Sequence, residues 1–143
     1  MASKSDVVRG FERNERPAKF WTLMGPNFAS EEIRKCLPTL HDEPENDVWF
    51  LVVDGSLAIS FACLRVAKDG KSAYLAHHWA SDGCRGKGYA KLLTDTRIRY
   101  AKENGIKKIR AVVHADSVDA FLAHGFAVTV SRSQFSTMEK KIA

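Results

Sequence analysis

The stretch Ser81-Asp-Gly-Cys-Arg-Gly-Lys-Gly88 constrains this chain more than any other, because the hydrophobic rhythm changes across it. Before it, Ala73 to Ala80 reads as a strand. After it, Tyr89, Leu92, Leu93, Thr96 and Tyr100 recur at three- and four-residue spacing, one face of a helix that runs to about Asn104, with Ile98 on the far side. Gly105 then supplies the left-handed residue that closes such a helix. A strand that enters a helix through glycines leaves the first helical N–H groups unpaired and the backbone open to a ligand. The helix dipole makes phosphate a favoured one.

Charge gathers at the same place. The chain has 22 Lys and Arg against 17 Asp and Glu, a net of +5. Residues 1–47 are slightly acidic, and the excess lies in 85–110, where nine basic groups face only Asp95 and Glu103. Such a segment attracts an anion. A solvated helix face, a nucleic acid and a phosphorylated cofactor all satisfy that condition, and the flanking sequence must decide among them.

Upstream, Val48-Trp-Phe-Leu-Val-Val53 is a continuous apolar run suited to a strand buried on both faces, and Asp54-Gly55 after it is a hairpin turn. A second strand over 57–66, a turn at Lys68 to Lys71 and the strand at 73–80 follow. Ile109 to Val113 is a further strand, Ser117 to Ala123 a short helix ended by Gly125, and 126–130 and 135–142 are two closing strands. Ser30, with Glu31 and Glu32, caps a helix that stops before Pro38. Gly25-Pro26 reads as a break, and residues 1–16 offer a short strand at best. The order of elements is that of an α/β (α+β) domain: a mixed, mostly antiparallel central sheet with flanking helices.

At 143 residues, without a linker or repeat, the chain reads as a single domain over 1–143. No apolar run approaches the length of a membrane span, and the amino terminus carries no secretion signal. Cys36, Cys63 and Cys84 are odd in number and lack metal-ligand spacing, which fits a reducing cytoplasm and no metal.

Phosphate-binding glycine loops come in several kinds. A P-loop needs Ser or Thr after Gly-Lys, and Gly86-Lys87 is followed by Gly88. The dinucleotide fingerprint needs a third glycine where Lys91 stands. The segment that does fit a pattern is Arg85-Gly-Lys-Gly88-Tyr-Ala90, an R/Q-x-x-G-x-G/A signature between strand and helix, with Gly125-Phe126 before a later strand. Over residues 48–143 the chain thereby resembles the GNAT superfamily of acetyl-CoA-dependent N-acetyltransferases.

That resemblance implies a sheet with splayed strands, acetyl-CoA as cosubstrate and an amine acceptor, which could be a small molecule, a peptide or a tRNA-linked group. It implies direct transfer in a ternary complex, with a homodimer left open. The pyrophosphate would lie on the amides of Arg85, Gly86, Lys87, Gly88, Tyr89 and Ala90 near Lys91, and the pantetheine arm along His78, Trp79 and Ala80. One main-chain N–H there would polarise the thioester carbonyl. Where family members often carry a Glu base, the strand reads Ala73-Tyr-Leu-Ala-His-His-Trp-Ala80, without a carboxylate. Histidine titrates near neutrality, so His78 or His77 becomes the expected base; Tyr74 would share the face of His78 by strand alternation. The family's usual acid, a Tyr, is replaced by Phe121, which cannot donate a proton, and His114 is a substitute donor. His124 reads as a helix cap or surface residue. The Phe20-Trp21 segment and the loop 41–47 would build the acceptor pocket. There a carboxylate could draw a cationic amine, although solvated loop charge is the simpler reading. The rival functions are a GNAT fold acting on nucleic acid or aminoacyl-tRNA, and a non-catalytic CoA-binding module.

Overall fold

The computed structural model describes residues 8–81, 83 and 87–142. Its elements, in chain order, are β1 (Val8–Phe11), α1 (Ala18–Ala29), α2 (Glu31–Cys36), β2 (Asp47–Asp54), β3 (Leu57–Val66), β4 (Ser72–Ala80), α3 (Tyr89–Glu103), β5 (Lys108–His114), α4 (Val118–Ala123), β6 (Ala127–Ser131) and β7 (Phe135–Lys141). One sheet orders them β1-β2-β3-β4-β5-β7-β6. Every neighbouring pair is antiparallel except β4 with β5.

The apolar run at 48–53 is buried on both faces because helices cover both. Val48, Phe50 and Val52 face α3, packing with Ala62, Leu64, Tyr89 and Leu93. Trp49 and Leu51 face α1 and α2, with Phe20, Leu23, Met24, Ile33 and Phe61. A buried side chain of this size is worth about 1.5–3 kcal/mol, so this strand anchors two cores at once. Gly55 turns the hairpin at φ +63° and Gly105 ends α3 at φ +73°. Ser30 caps α2 as its sequence indicates, accepting a hydrogen bond from the Ile33 amide at 3.2 Å.

Of the upstream expectations one holds and one changes. A short strand forms at Val8–Phe11, paired with β2 at the sheet edge. Gly25-Pro26 does not break the chain: α1 runs through both. Pro26 forfeits one backbone bond, to Thr22, but Phe20, Leu23 and Met24 are fully buried beneath it, and their burial outweighs that loss. Among the described residues no helix is long and apolar enough to cross a membrane.

Candidate active site

β4 and β5 share only three partner positions: Ser72 with Lys108, Ala73 with Ile109, and Tyr74 with Arg110. From Leu75 onward the edge of β4 that faces β5 has no strand partner, and the two strands diverge. A cavity of about 1130 Å³ fills the gap, walled by the ends of β4 and β5, the start of α3, and α4. The splay itself agrees with the fold expected from the sequence; it begins at Leu75, and His78, Trp79 and Ala80 line the cavity beyond it.

The start of α3 opens into that cavity. Gly88 is its N-cap at φ +82° and brings no side-chain cap of its own, and among the described residues no acid occupies the first turn. A Cβ at Gly88 would meet no protein atom within 4 Å, so it is backbone handedness, not crowding, that requires glycine there. Gly88, Tyr89, Ala90 and Lys91 line the cavity and Lys87 is exposed beside it. Cys84, Arg85 and Gly86 lie outside the described residues. Lys91 is held by Asp95 at 2.9 Å, one turn along the helix.

Strand alternation misplaces one residue. Between β3 and β4 the register shifts: Ala62 pairs with His78 but Cys63 pairs with Ala76, leaving His77 as the extra residue of a bulge. The bulge reverses parity, so Tyr74 and His78 do not share a face. Tyr74 lies on the α1–α2 side, exposed, with the Arg110 guanidinium 5.8 Å from its ring centre. His78 faces α3 and the cavity. His77 points the other way and stacks on Trp49 at 6.1 Å between centroids.

The two histidines share an unusual state. Among the described residues, Nε2 of each is buried without a hydrogen-bond partner. Burial, reinforced by the Arg97 charge, pushes His78 down to about 4. Burial, with Arg65 and then His41 adding positive charge, pushes His77 to about 4 as well. Both are therefore neutral at pH 7 and weaker bases than an exposed imidazole. His114 projects from the opposite face of β5 against Phe135, and its Nδ1 accepts a hydrogen bond from the Asp116 amide at 3.2 Å, so it reaches only the cavity rim. His124 is neither a bare cap nor a free surface group; it pairs with Asp95 at 3.1 Å across the cavity's α3–α4 edge. Phe121 lines the cavity and packs edge-on against Phe126.

The acidic loop turns inward instead of awaiting a ligand. Asp42 accepts from Arg16 at 2.8 and 2.9 Å and from the Trp49 indole at 2.8 Å. Asp47, fully buried, accepts two bonds from Arg65 and one from the Glu43 amide. Glu43 is taken by His41 and Arg65. His41 places one nitrogen on the Thr39 carbonyl and the other on Glu43, which favours the imidazolium and raises its pKa. Neither solvated loop charge nor an amine trap describes these three carboxylates.

Sequence reasoning missed Arg97. It counted with the basic surface run, yet it is 2% exposed on the inner face of α3. The available signal was its spacing: four residues after Leu93 and four before Ala101, both buried.

A parallel pair of strands that parts above a glycine-started helix, with a deep cleft between them, defines the fold of acyl-CoA N-acyltransferases. The chain belongs to the Acetyltransferase (GNAT) family, whose model matches residues 17–126. ElaA of Escherichia coli superposes at a TM-score of 0.77 with 11% identity, covering 94% of this chain and 98% of that one. An acyl-CoA N-acyltransferase from Pseudomonas aeruginosa gives 0.73 and 12%, with 96% and 99% covered. GCN5 of Tetrahymena gives 0.60 and 14%, with 87% and 84% covered. At these identities the likeness is one of fold. No curated protein sequence matches the chain.

Proposed function

We propose that this chain transfers an acetyl group from acetyl-CoA to a primary amine by direct attack in a ternary complex. The observation that carries the reading is the divergence of β4 from β5 after three paired residues, opening a cleft onto the glycine-started N-terminus of α3. Phosphate oxygens bind there to backbone amides of residues 85–90, with Lys87 and Lys91 adding charge. The pantetheine amides pair with main-chain groups that the splay frees along His78, Trp79 and Ala80. One N–H of that edge polarises the thioester carbonyl, a contact worth about 3–4 kcal/mol in other acyl transferases.

His78 is the side chain best suited to the attacking amine, because it lines the cavity and its buried Nε2 has no hydrogen-bond partner among the described residues. Neutral at pH 7, it accepts a hydrogen bond that orients the amine, and the proton that the amine loses passes to water. His77, across the bulge, is the second candidate for the same role, from the opposite face. His114 would act only from the rim, and Tyr74 is turned away from the cleft.

Calorimetric titration with CoA and acetyl-CoA tests the reading, followed by intact-mass detection of transfer to amines, peptides and aminoacyl-tRNA. Binding plus an acetylated acceptor is the expected result. No CoA binding at millimolar concentration would overturn it. Binding without transfer to any acceptor supports the non-catalytic CoA module, which Phe121 and the absence of a carboxylate from β4 favour.

A further inference from the structure

Arg97 is the buried cation that the packing of α3 does not explain. Its neighbours on the inner face are Leu93, Thr94 and Ala101. The guanidinium donates to the Leu93 carbonyl at 3.3 Å, to the Cys63 carbonyl at 3.1 Å, to the Ala76 carbonyl at 3.3 Å and to the Thr94 hydroxyl at 3.4 Å. Every one of these acceptors is neutral. Among the described residues no carboxylate pairs with it, and burial lowers its pKa only to about 10, so it is charged at neutral pH. A fully buried charge without a counter-ion is costly, and such groups cluster at functional sites. The cavity supplies the meeting place, since Arg97 lines it together with His78 and Phe121.

We infer that Arg97 is the electrostatic partner of the sulfur leaving group, stabilising the thiolate released when the thioester breaks. The inference rests on the acyl-CoA reading above. In the step concerned, the amine lone pair forms a bond to the thioester carbonyl carbon and the carbonyl π pair moves to oxygen. When C=O re-forms, the C–S bond breaks and its electron pair goes to sulfur. The proton lost by the amine passes to water, so sulfur leaves as an anion. At the position where the family's usual acid stands, Phe121 has no proton to give, and His78 is neutral. Lys91 and His124 are both paired with Asp95, while Tyr89, His114 and Lys140 line other parts of the cleft.

Reach is consistent with this role. Arg97 lies nine residues beyond Gly88, about 13–14 Å along the helix at 1.5 Å per residue. The pantetheine arm has about a dozen bonds between sulfur and phosphate ester, equivalent to roughly four residues of extended chain, or about 13–14 Å. A CoA whose phosphates sit at the start of α3 therefore brings its sulfur level with Arg97.

The test compares CoA with desulfo-CoA, which lacks the thiol, by calorimetric titration from pH 6.5 to 9.5. Ultraviolet absorbance of the bound thiolate is followed in parallel. His78, Tyr89, Lys91, Asp95, His114, His124 and Lys140 also face the cleft. The affinity ratio isolates the sulfur, and the Arg97 variants separate the share of Arg97 from that of these groups. In the wild-type protein the bound thiol should titrate at least one unit below free CoA, and the CoA preference over desulfo-CoA should rise about fivefold or more across the range. Arg97→Met should abolish that rise while changing desulfo-CoA affinity less than about threefold, and Arg97→Lys should keep part of it. A wild-type thiol that titrates as in free CoA overturns the inference even if no variant folds, and so does an Arg97→Met protein that retains the rise. Failure of both ligands to bind overturns the acyl-CoA reading and this inference with it.

Discussion

Acidification from pH 7 to 4 should unfold the protein more readily, and His78 sets the size of the effect. The unfolded chain takes up a proton on this imidazole near 6.5, whereas the folded chain resists until about 4 because the group is buried beside Arg97. Across that window the unfolded state binds more protons, so stability falls as pH falls, and below about 4 the loss levels off. A displacement of roughly 2.5 units corresponds to about 3 kcal/mol at 1.36 kcal/mol per unit. His77 is displaced in the same direction and adds to the fall, reduced by its partial contact with solvent. His41 acts oppositely. Its pKa is raised, so its contribution is complete below 6.5 and is lost as pH rises through its folded value. The comparison that isolates His78 is therefore wild type against His78→Phe, by urea denaturation at half-unit steps and followed by tryptophan fluorescence. The stability difference between them should shift by about 3 kcal/mol in favour of the variant between pH 7 and 4. Parallel curves would refute the burial argument, and with it the claim that the His78 nitrogen is unpartnered in the fold.

Asp47→Ala should cost about 3–5 kcal/mol, because it strands Arg65 and the Glu43 amide, and denaturant midpoints measure it; a loss under 1 kcal/mol would contradict the network. Gly88→Ala should lower stability by only about 1–2 kcal/mol, the backbone cost of a left-handed residue with open space around its new methyl group. CoA affinity should fall well beyond that in the same variant, and an unchanged dissociation constant would place the phosphates elsewhere.

Local grammar made the middle of the chain readable. Val48–Val53 with Asp54-Gly55, and Tyr89 through Gly105, each combine a period with a stop signal, and both formed as the sequence indicates. What escaped is non-local. The bulge that swings Tyr74 away from His78 depends on how β3 and β4 align, and no residue near His77 announces it. The helix across Gly25-Pro26 is held by Trp49 and Phe61, far along the chain. Asp42 and Asp47 looked solvated because the arginines that bind them stand 26 and 18 residues away. Arg97 was hidden by its own charge, which assigns it to a surface until the neighbouring carbonyls are seen. The candidate site was thus legible where backbone makes it, at the glycine turn and the splay, and obscure where side chains converge on it.

The short union of β4 with β5 has a mechanical consequence. Three paired positions join a leaf of four strands to a leaf of three, so the sheet resembles a book whose spine is bound along only part of its height. A molecule lying in the open part, bonded to both pages, would act as missing stitching. Its arrival would then be felt as rigidity in β6 and β7, at the outer margin of the second leaf.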